Sequence, residues 1–447
     1  MATGRRARSS GSPRRARVPS RSARAVALRV VRRVTEQGAY SNLALDAELR
    51  RSRLSERDRR FVADLAYGTL RTKLRLDGVI AAASERAVDD IDAETLAVLR
   101  LGAYQVIEER LPAHAAVGET VTLAPARSKG FVNAVLRRIA AWPPGDDPPP
   151  GSGRTGLAEW AVEELARLLP AGEVEAAATA LATPAGAVSL RVNTCRTTPD
   201  DLRRRLRDER GIEAEPNPIA GNVLRVARAT PSTLPGFVEG WFAVQDEASV
   251  LVAEALEVLP GQRVLDACAA PGGKAGDLAC RVGDGGALVA ADARGERARL
   301  VAAALRRLGL KGHVLVQDAR HPALRGLFDA ILVDAPCSGL GAARRRPELL
   351  WRPERSQLAR LARLQVAILE GVAALVRPGG RLVYSVCTFP RAETDAAVRA
   401  FLAKRPEFEP LDVPGPEGRA ASHRLWPHRH GTDAMFFAGF RRRPGLP

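Results

Sequence analysis

Two cysteines follow predicted β-strands and are candidates for nucleophilic chemistry. Cys337 comes directly after the apolar segment AILVDAP, and Cys387 ends the segment GRLVYSVC. Open α/β sheets bind ligands at the carboxyl ends of their parallel strands, so we expect both thiols to face a ligand. A thiolate that adds to C6 of a pyrimidine makes C5 an enamine-like carbon, which can accept an electrophilic methyl group. The two residues therefore predict methylation of a pyrimidine at C5.

Asp334 lies three residues before Cys337 and is a candidate partner for the same base. Its carboxylate could hydrogen-bond the amino and ring-nitrogen edge of a cytosine and stabilise the charge that grows as the thiol adds. A carboxylate at this position favours cytosine over uracil as the target.

A nucleotide-like cofactor could bind after the strand RVLDA, where the segment CAAPGGKAGDLA begins. Gly272 and Gly273 allow close approach of a ligand to the backbone, and the next helix directs its N-terminal NH groups at that ligand. The segment matches neither GxxxxGK[ST] nor GxGxxG, which disfavours a phosphate-binding loop. Asp292 closes the next strand, where a carboxylate can bind ribose hydroxyls, and Asp318 closes the third. Together they predict a cradle for an adenosine, unless each aspartate only caps a helix or turn.

The composition favours a polyanionic partner. The chain has 447 residues, of which 68 are Lys or Arg and 51 are Asp or Glu, and its net charge is +17. Basic side chains placed on phosphates release counterions, so nucleic acid is the expected partner. We expect no membrane association, because no apolar run is long enough to span a bilayer, and no secretory signal, because the basic N-terminus has no apolar stretch.

The cysteine pattern predicts a cytoplasmic protein without a metal site. The five cysteines include no CxxC pair and no CxxC…H spacing, so we expect neither a disulfide framework nor a zinc site. They are Cys195, Cys268, Cys280, Cys337 and Cys387.

Changes in pattern along the chain predict how these residues are positioned. Helical spacing dominates the first part, PPGDDPPPGSGRTG is typical of a linker, and strands alternate with helices in the last part, which predicts a mainly parallel sheet. We expect a disordered basic arm at 1–22, a helical domain at 23–142, a linker at 143–156, a small α/β module at 157–243 and a Rossmann-like domain at 244–443.

At these residues the chain resembles the RsmB/Sun group of bacterial 16S ribosomal RNA 5-methylcytosine methyltransferases, within the wider RNA cytosine methyltransferase family. The resemblance extends from about Ala23 to Arg442 and includes SNLALDAELR, GFVNAVLRRI, LRVN, VQDEAS, LDACAAPGGK, DAPCSGLG, RPGGRLVYSVCTF and GTDAMFFAGF. It implies a multidomain protein with an N-terminal all-α NusB-like domain, a small α/β RNA-binding module and a Rossmann-like methyltransferase domain. It also implies S-adenosyl-L-methionine as methyl donor and 16S ribosomal RNA as partner, and we expect a monomer.

The resemblance assigns roles to individual residues. It implies that Asp292 binds the donor's ribose, that Asp318 binds its adenine, and that Asp334 lies beside donor and target base. Cys387 would be the nucleophile and Cys337 the residue that aids product release. The residues that would line the methyl donor are Cys268, Ala269, Ala270, Pro271, Gly272, Gly273 and Lys274.

Three alternatives remain open. DNA cytosine methyltransferases place their nucleophile in a Pro-Cys dipeptide, which Pro336-Cys337 resembles, so the two cysteine roles could be exchanged. The chain could be a non-enzymatic RNA-binding protein, although the intact cofactor and cysteine motifs oppose this. It could also methylate an exocyclic nitrogen, but that chemistry usually uses a [DN]PP[YF] loop, and no aromatic residue follows Pro336 here.

Overall fold

The computed structural model describes residues 22–109, 112–141, 156–227 and 229–445. Nearly all of the expected basic arm (1–22) and linker (143–156) lies outside the described residues. The chain forms two compact units, which comprise residues 1–152 and 153–447. Among the described residues, no helix combines the length and apolarity needed to cross a bilayer.

The first unit is helical. Asp92 begins its central helix by accepting a hydrogen bond from the Thr95 NH, and this helix packs against five others because it is apolar on most of its faces. Gly102 lets a neighbour approach, since a Cβ there would lie 2.6 Å from a methyl carbon of Leu136. Short 3-10 turns cover Val88–Asp90 and Ala126–Ser128. The α-helices in residues 22–109 and 112–141 are α1 (Ala23–Thr35), α2 (Ser41–Arg51), α3 (Glu56–Arg71), α4 (Lys73–Ser84), α5 (Ala93–Ile107), α6 (Ala113–Thr122) and α7 (Lys129–Ala140).

The second unit begins with two helices and a small antiparallel sheet. Thr198 caps the third helix by accepting from the Asp201 NH, and Pro199 occupies its first turn. The strands pair in the order β2-β3-β1-β4. Leu202 and Leu206 of the third helix pack on the apolar face of this sheet. These elements are α8 (Glu159–Ala166), α9 (Ala171–Ala182), β1 (Ala187–Val192), α10 (Pro199–Arg210), β2 (Ala214–Pro216), β3 (Val223–Ala227) and β4 (Phe242–Val244).

The rest of the second unit is a larger α/β domain. Its helices are α11 (Glu247–Ala255), α12 (Gly273–Val282), α13 (Gly295–Leu308), α14 (Leu358–Ala373), α15 (Asp395–Lys404) and α16 (Pro427–His430). Its strands are β5 (Arg263–Asp266), β6 (Ala287–Asp292), β7 (His313–Val316), β8 (Phe328–Asp334), β9 (Val376–Val386), β10 (Phe408–Leu411), β11 (Val413–Gly415), β12 (Gly418–Ala420), β13 (Ser422–Leu425) and β14 (Met435–Arg442).

The main sheet of this domain is mainly parallel, as expected. Its order is β10-β14-β9-β8-β5-β6-β7, with β13 on β14, and the pairs from β9 to β7 are all parallel. The strands β10, β13 and β14 add antiparallel pairs at one side. Apolar side chains cover both faces of the sheet, which is why its strands consist of continuous apolar residues. The carboxyl ends of β9, β8, β5, β6 and β7 therefore meet at one edge.

Two helices of the connecting region pack beside this edge rather than on the small sheet. Leu165 of α8 and Ala178 of α9 belong to one core cluster with Leu340, Phe389 and Trp426, which follow β8, β9 and β13. The polypeptide after residue 156 therefore supports the loops that extend from the ends of β8 and β9.

One disulfide contradicts the expectation that the cysteines are unpaired. Cys195, just after β1, is bonded to Cys280 of α12, with Cα atoms 5.8 Å apart. The two residues are 85 positions apart in the sequence. Cys195 follows a strand of the small sheet and Cys280 lies on a helix of the larger domain, so no local spacing rule could detect the pair. The other three cysteines are free.

Candidate active site

Cys337 and Cys387 follow the carboxyl ends of parallel strands, as the sequence predicts, and the structure adds that the two strands are neighbours. β8 and β9 are parallel neighbours, and each leads into the loop that carries one thiol. Both thiols are half-buried, and their Sγ atoms are 3.5 Å apart. The contact is a hydrogen bond between two free thiols.

This contact makes the two sulfurs unequal. The hydrogen bond to Cys387 raises the pKa of Cys337, and burial raises it further. The pKa of Cys387 is lowered by the hydrogen bond from Cys337, against the effect of burial, with help from the positive charges of Arg346 and Lys274. Of the two thiols, Cys387 is therefore the one that ionises more readily.

A buried polar network fixes the two loops to each other. The Ser338 hydroxyl lies 2.7 Å from the Thr388 hydroxyl and donates to Glu393 at 2.6 Å, while the Ser338 NH donates to the other oxygen of Glu393 at 2.9 Å. Gln365 of α14 donates to Glu393 and to the Pro336 carbonyl. The Tyr384 hydroxyl donates to the Glu393 carbonyl at 2.6 Å. Ser338 follows Cys337 directly and Thr388 follows Cys387 directly, so the network fixes the positions of the two sulfurs relative to each other.

Asp334 ends β8 beside the loop of residues 268–274, which is named the donor loop here after the ligand that the sequence predicts for it. Its carboxylate accepts from Lys274 Nζ at 2.8 Å and from the Ser385 hydroxyl at 2.8 Å. Burial alone would lower the pKa of Lys274, but the Asp334 carboxylate more than offsets this, so the pKa is raised. Lys274 therefore carries its charge in a buried position and joins the donor loop to the thiol site.

The donor loop follows β5 and enters α12 at its first turn. Gly272 has φ of +108°, which favours glycine, and a Cβ there would lie 2.9 Å from the Ala304 Cβ. Ala269 donates its NH to the Ala291 carbonyl, and Ala270 accepts from Arg297. Pro271 is exposed, whereas Ala269 and Ala270 are buried. Burial raises the pKa of Cys268, so this thiol lines the loop as a neutral group.

Asp266, at the end of β5, is a site residue that the sequence analysis did not single out. Its carboxyl is fully buried and makes no hydrogen bond to a side chain in the described residues. Burial, with repulsion from Asp334, raises its pKa to about 7. The signal was present in the sequence, because Asp266 ends its strand within LDACAAPGGK just as Asp292 ends the next one.

The two remaining predicted aspartates differ. Asp292 is buried, accepts from the Arg294 NH at 3.1 Å and lies 3.5 Å from Arg297 Nε. Asp318 follows the edge strand β7 and is bound by Arg320, which together with the Arg320 NH lowers its pKa to about 2. The structure thus brings Asp334, Lys274 and the two thiols together, while Asp318 lies at the periphery with a partner of its own.

Comparison with known proteins identifies the domains. Residues 253–441 match the model of the 16S rRNA methyltransferase RsmB/F family, residues 21–141 match the NusB family, and residues 157–233 match the ferredoxin-like domain of RsmF/B-like methyltransferases. The ribosomal RNA small subunit methyltransferase B of Pseudomonas putida is 36% identical over 93% of this chain and 97% of its own length. The chain belongs to the RsmB/F family of 16S rRNA methyltransferases.

Further relatives and solved structures agree with this RsmB/F membership. The ribosomal RNA small subunit methyltransferase B of Klebsiella pneumoniae is 31% identical over 94% of this chain and 98% of its own length. The crystal structure of PH0851 covers 96% of this chain and 100% of its own, with 25% identity and a TM-score of 0.81. A methyltransferase homologue from Pyrococcus horikoshii covers 64% of this chain and 100% of its own, with 26% identity and a TM-score of 0.54.

Membership of the RsmB/F family confirms the predicted fold class and S-adenosyl-L-methionine as the methyl donor, and it implies an RNA substrate. The residues at the donor loop fit this donor. A buried carboxyl without a side-chain partner, a glycine turn and a helix N-terminus adjoin one another there. The described ranges contain no group of three or more His, Cys, Asp or Glu side chains that could hold a metal ion.

Proposed function

We propose that the chain transfers a methyl group from S-adenosyl-L-methionine to C5 of a cytosine in 16S ribosomal RNA through a covalent adduct with Cys387. The observation that carries this proposal is the pair of free thiols 3.5 Å apart, next to the Asp334 carboxylate at the same sheet edge. Carbon methylation of a pyrimidine needs a nucleophile for C6, and methylation of an exocyclic nitrogen does not. Two adjoining thiols at the ligand edge therefore favour the carbon chemistry.

The pKa directions support Cys387 as the nucleophile. Its pKa is lowered, which favours the thiolate that would bond to C6, whereas the pKa of Cys337 is raised. The electron pair of the thiolate forms the S–C6 bond, and C5 becomes nucleophilic. The bound donor supplies the methyl group as an electrophile. A base, solvent water or a side chain of the site, then takes the proton from C5, and the electron pair of the C5–H bond forms the C5=C6 double bond. The S–C6 bond breaks and its electron pair returns to Cys387, while the Cys337 S–H can hydrogen-bond to the departing sulfur.

Asp334 supports cytosine as the target base. An ionised carboxylate only accepts hydrogen bonds, so it matches the amino group of cytosine and would repel the O4 atom of uracil. Its pairing with Lys274 and Ser385 holds it at the junction of donor loop and thiol site. As C6 is attacked, negative charge grows on the ring and makes the ring nitrogen basic. A proton that this nitrogen takes up from solvent can donate a hydrogen bond to the Asp334 carboxylate, and it is lost again when the S–C6 bond breaks.

We assign the donor site to the loop from Cys268 to Lys274, with Asp292 on the ribose and Asp318 on the adenine. The buried carboxylate of Asp292, at the end of the strand next to β5, supports the ribose assignment. For Asp318 the support is its position beyond the following strand, and a bound adenine would have to share this carboxylate with Arg320.

We also propose that the helical domain (23–142) and the α/β module (157–243) bind the RNA, and that the enzyme acts as a cytoplasmic monomer. The net charge of +17 supports an RNA-binding role outside the active site.

The test is to map 5-methylcytosine by bisulfite sequencing in 16S ribosomal RNA from a strain that lacks the protein. We expect one cytosine to lose its methylation and to regain it when the wild-type gene is returned. The matched control is the Cys387→Ser variant, which should fail to restore the mark while it accumulates to the same level. An unchanged bisulfite map, together with loss of a methyl group from a base nitrogen, would refute the C5 assignment.

A further inference from the structure

Arg191 is a buried cation that the proposed chemistry does not use. It lies on β1 opposite Ala243 of β4, within the LRVN motif, and its side chain is 1% exposed. Burial lowers its pKa, and Asp277 is the main opposing charge. A guanidinium placed in a core costs free energy unless its donors are satisfied, so its partners indicate what it does.

Within the part of the chain that the structure describes, the Arg191 side chain makes polar contacts with Gln245, Gly273 and Asp277. Its Nε donates to the Gln245 side-chain oxygen at 2.8 Å, and its Nη2 lies 3.5 Å from the Gly273 carbonyl oxygen. Its Nη1 lies 3.7 Å from the Asp277 carboxylate. Gly273 is the first residue of α12 and Asp277 lies in its second turn, so one side chain contacts the helix start from two directions.

The surroundings of the guanidinium are shaped around this contact. A Cβ on Gly273 would lie 3.4 Å from the Gln245 oxygen, so Gln245 packs directly against the loop glycine while Arg191 holds it. A Cβ on Gly276 would lie 3.2 Å from Arg191 Nη2 and 2.8 Å from a methyl carbon of Leu308. The absence of a side chain at Gly276 therefore leaves room for the arginine.

We propose that Arg191, acting through Gln245, is the positioning residue for the methyl-donor loop, so that the ferredoxin-like module sets the geometry of the donor site. The proposal rests on the function proposed above. It gives the motifs LRVN and VQDEAS a shared role, because Arg191 comes from the first and Gln245 from the second. The guanidinium holds the start of α12, whose NH groups and Lys274 face the donor.

A purely structural role would be to join the module to the methyltransferase domain, and Asn193 provides the contrast. It lies two residues further along the chain, is equally buried, and donates to the carbonyls of Gly240 and Leu308. Leu308 ends α13, so the side-chain hydrogen bonds of Asn193 join the two parts without reaching the donor loop itself. Asn193→Ala is therefore a matched control for loss of inter-module bonding.

The experiment measures the affinity of the full chain for S-adenosyl-L-methionine by calorimetry, alongside thermal unfolding. Arg191→Lys keeps the charge but cannot reach three acceptors, so we expect the dissociation constant for the donor to rise about tenfold. Asn193→Ala should lower the unfolding temperature about as much as Arg191→Lys does. It should leave the dissociation constant for the donor within about twofold of wild type. If Arg191→Lys does not fold, Gln245→Ala tests the same contact from its other side and should weaken donor binding in the same direction.

Two outcomes would overturn the proposal. Donor affinity that is unchanged in Arg191→Lys and in Gln245→Ala would mean that the contact does not position the loop. Equal weakening by Asn193→Ala would mean that inter-module bonding in general, and not Arg191, sets the donor site. A wild-type chain that binds no S-adenosyl-L-methionine would instead contradict the proposed function, so the two failures are distinguishable.

Discussion

Four neighbouring strands, in the order β8-β5-β6-β7, end on or just before an aspartate, and the centre of this row differs from its edge. At the centre, Asp266 is fully buried and its pKa is raised to about 7. At the edge, Asp318 is partly exposed, is bound by Arg320, and has its pKa lowered to about 2. One residue type at equivalent positions thus carries opposite protonation tendencies.

The difference arises from the neighbours that each strand has. A central strand is covered on both faces and both sides, so its terminal carboxyl loses solvent and meets other site residues. The terminal carboxyl of an edge strand stays near water. There an ion pair with a nearby arginine changes the free energy of folding only slightly. Position at a strand end therefore predicts membership of the site better for the central strands than for the edge.

Among the four aspartates at these strand ends, substitution of Asp334 is expected to slow methyl transfer the most, because Asp334 adjoins both the donor loop and the thiols. Asp334→Asn keeps the shape but removes the charge that pairs with Lys274 and that would face the target base, so we expect methyl transfer to slow about 100- to 1000-fold. Single-turnover methylation of ribosomal RNA measures this. A rate within about threefold of wild type would show that the carboxylate has no part in the chemical step.

Asp266 should give the protein a distinctive pH dependence. A carboxyl of the unfolded chain titrates near pH 4, whereas that of Asp266 in the fold titrates near 7. Between these pH values the folded state holds the Asp266 proton and the unfolded state does not. The contribution of this proton to the free energy of unfolding is therefore complete below about pH 4 and is lost as the pH rises to about 7. Relative to Asp266→Asn, the wild-type free energy of unfolding should therefore fall by about 1–3 kcal/mol from pH 5 to 7.

Urea unfolding at several pH values, without donor, measures this difference. The control is Asp318→Asn. Its free energy of unfolding should differ from that of wild type by a constant amount over the same pH range, because the contribution of the ionised Asp318 is lost only as the pH falls from about 4 toward 2. Parallel curves for wild type and Asp266→Asn would contradict the raised pKa.

Asp292 should matter for donor affinity and Asp318 should matter less. Asp292→Ala removes a buried carboxylate, and we expect donor binding to weaken by about 1–3 kcal/mol through lost charge-assisted hydrogen bonds. Asp318→Ala should weaken it by less than about 1 kcal/mol, since Arg320 already binds that carboxylate. Calorimetry with S-adenosyl-L-methionine measures the binding free energy of each variant. A larger loss of binding free energy in Asp318→Ala than in Asp292→Ala would contradict the expectation that carboxyls of central strands matter more than that of the edge strand.

The sequence predicted those features that depend on local pattern. Apolar runs that end in Asp334 or Cys387 predicted parallel strands with their ends at one edge, because a strand buried on both faces needs continuous apolar residues. The helix start at Thr198-Pro199 depends on equally local chemistry, a capping side chain followed by a proline. These signals need no knowledge of the tertiary fold.

Other features depend on distant contacts. The network at Glu393 joins residues of two loops and α14, and polar residues in loops have many possible partners. The bond between Cys195 and Cys280 spans 85 positions. The segment GTDAMFFAGF was recognised as a motif, but its place as the antiparallel strand β14 beside β9 follows only from the assembled sheet.

The division of labour between the two thiols is the central claim, and it can be tested on a denaturing gel. Wild type, Cys387→Ala, Cys337→Ala and the double variant are incubated with substrate RNA and S-adenosyl-L-methionine, then denatured. We expect a covalent protein–RNA band only with Cys337→Ala, because attack by Cys387 still occurs but release is impaired. A band with Cys387→Ala and none with Cys337→Ala would mean that Cys337 is the nucleophile and would contradict the account.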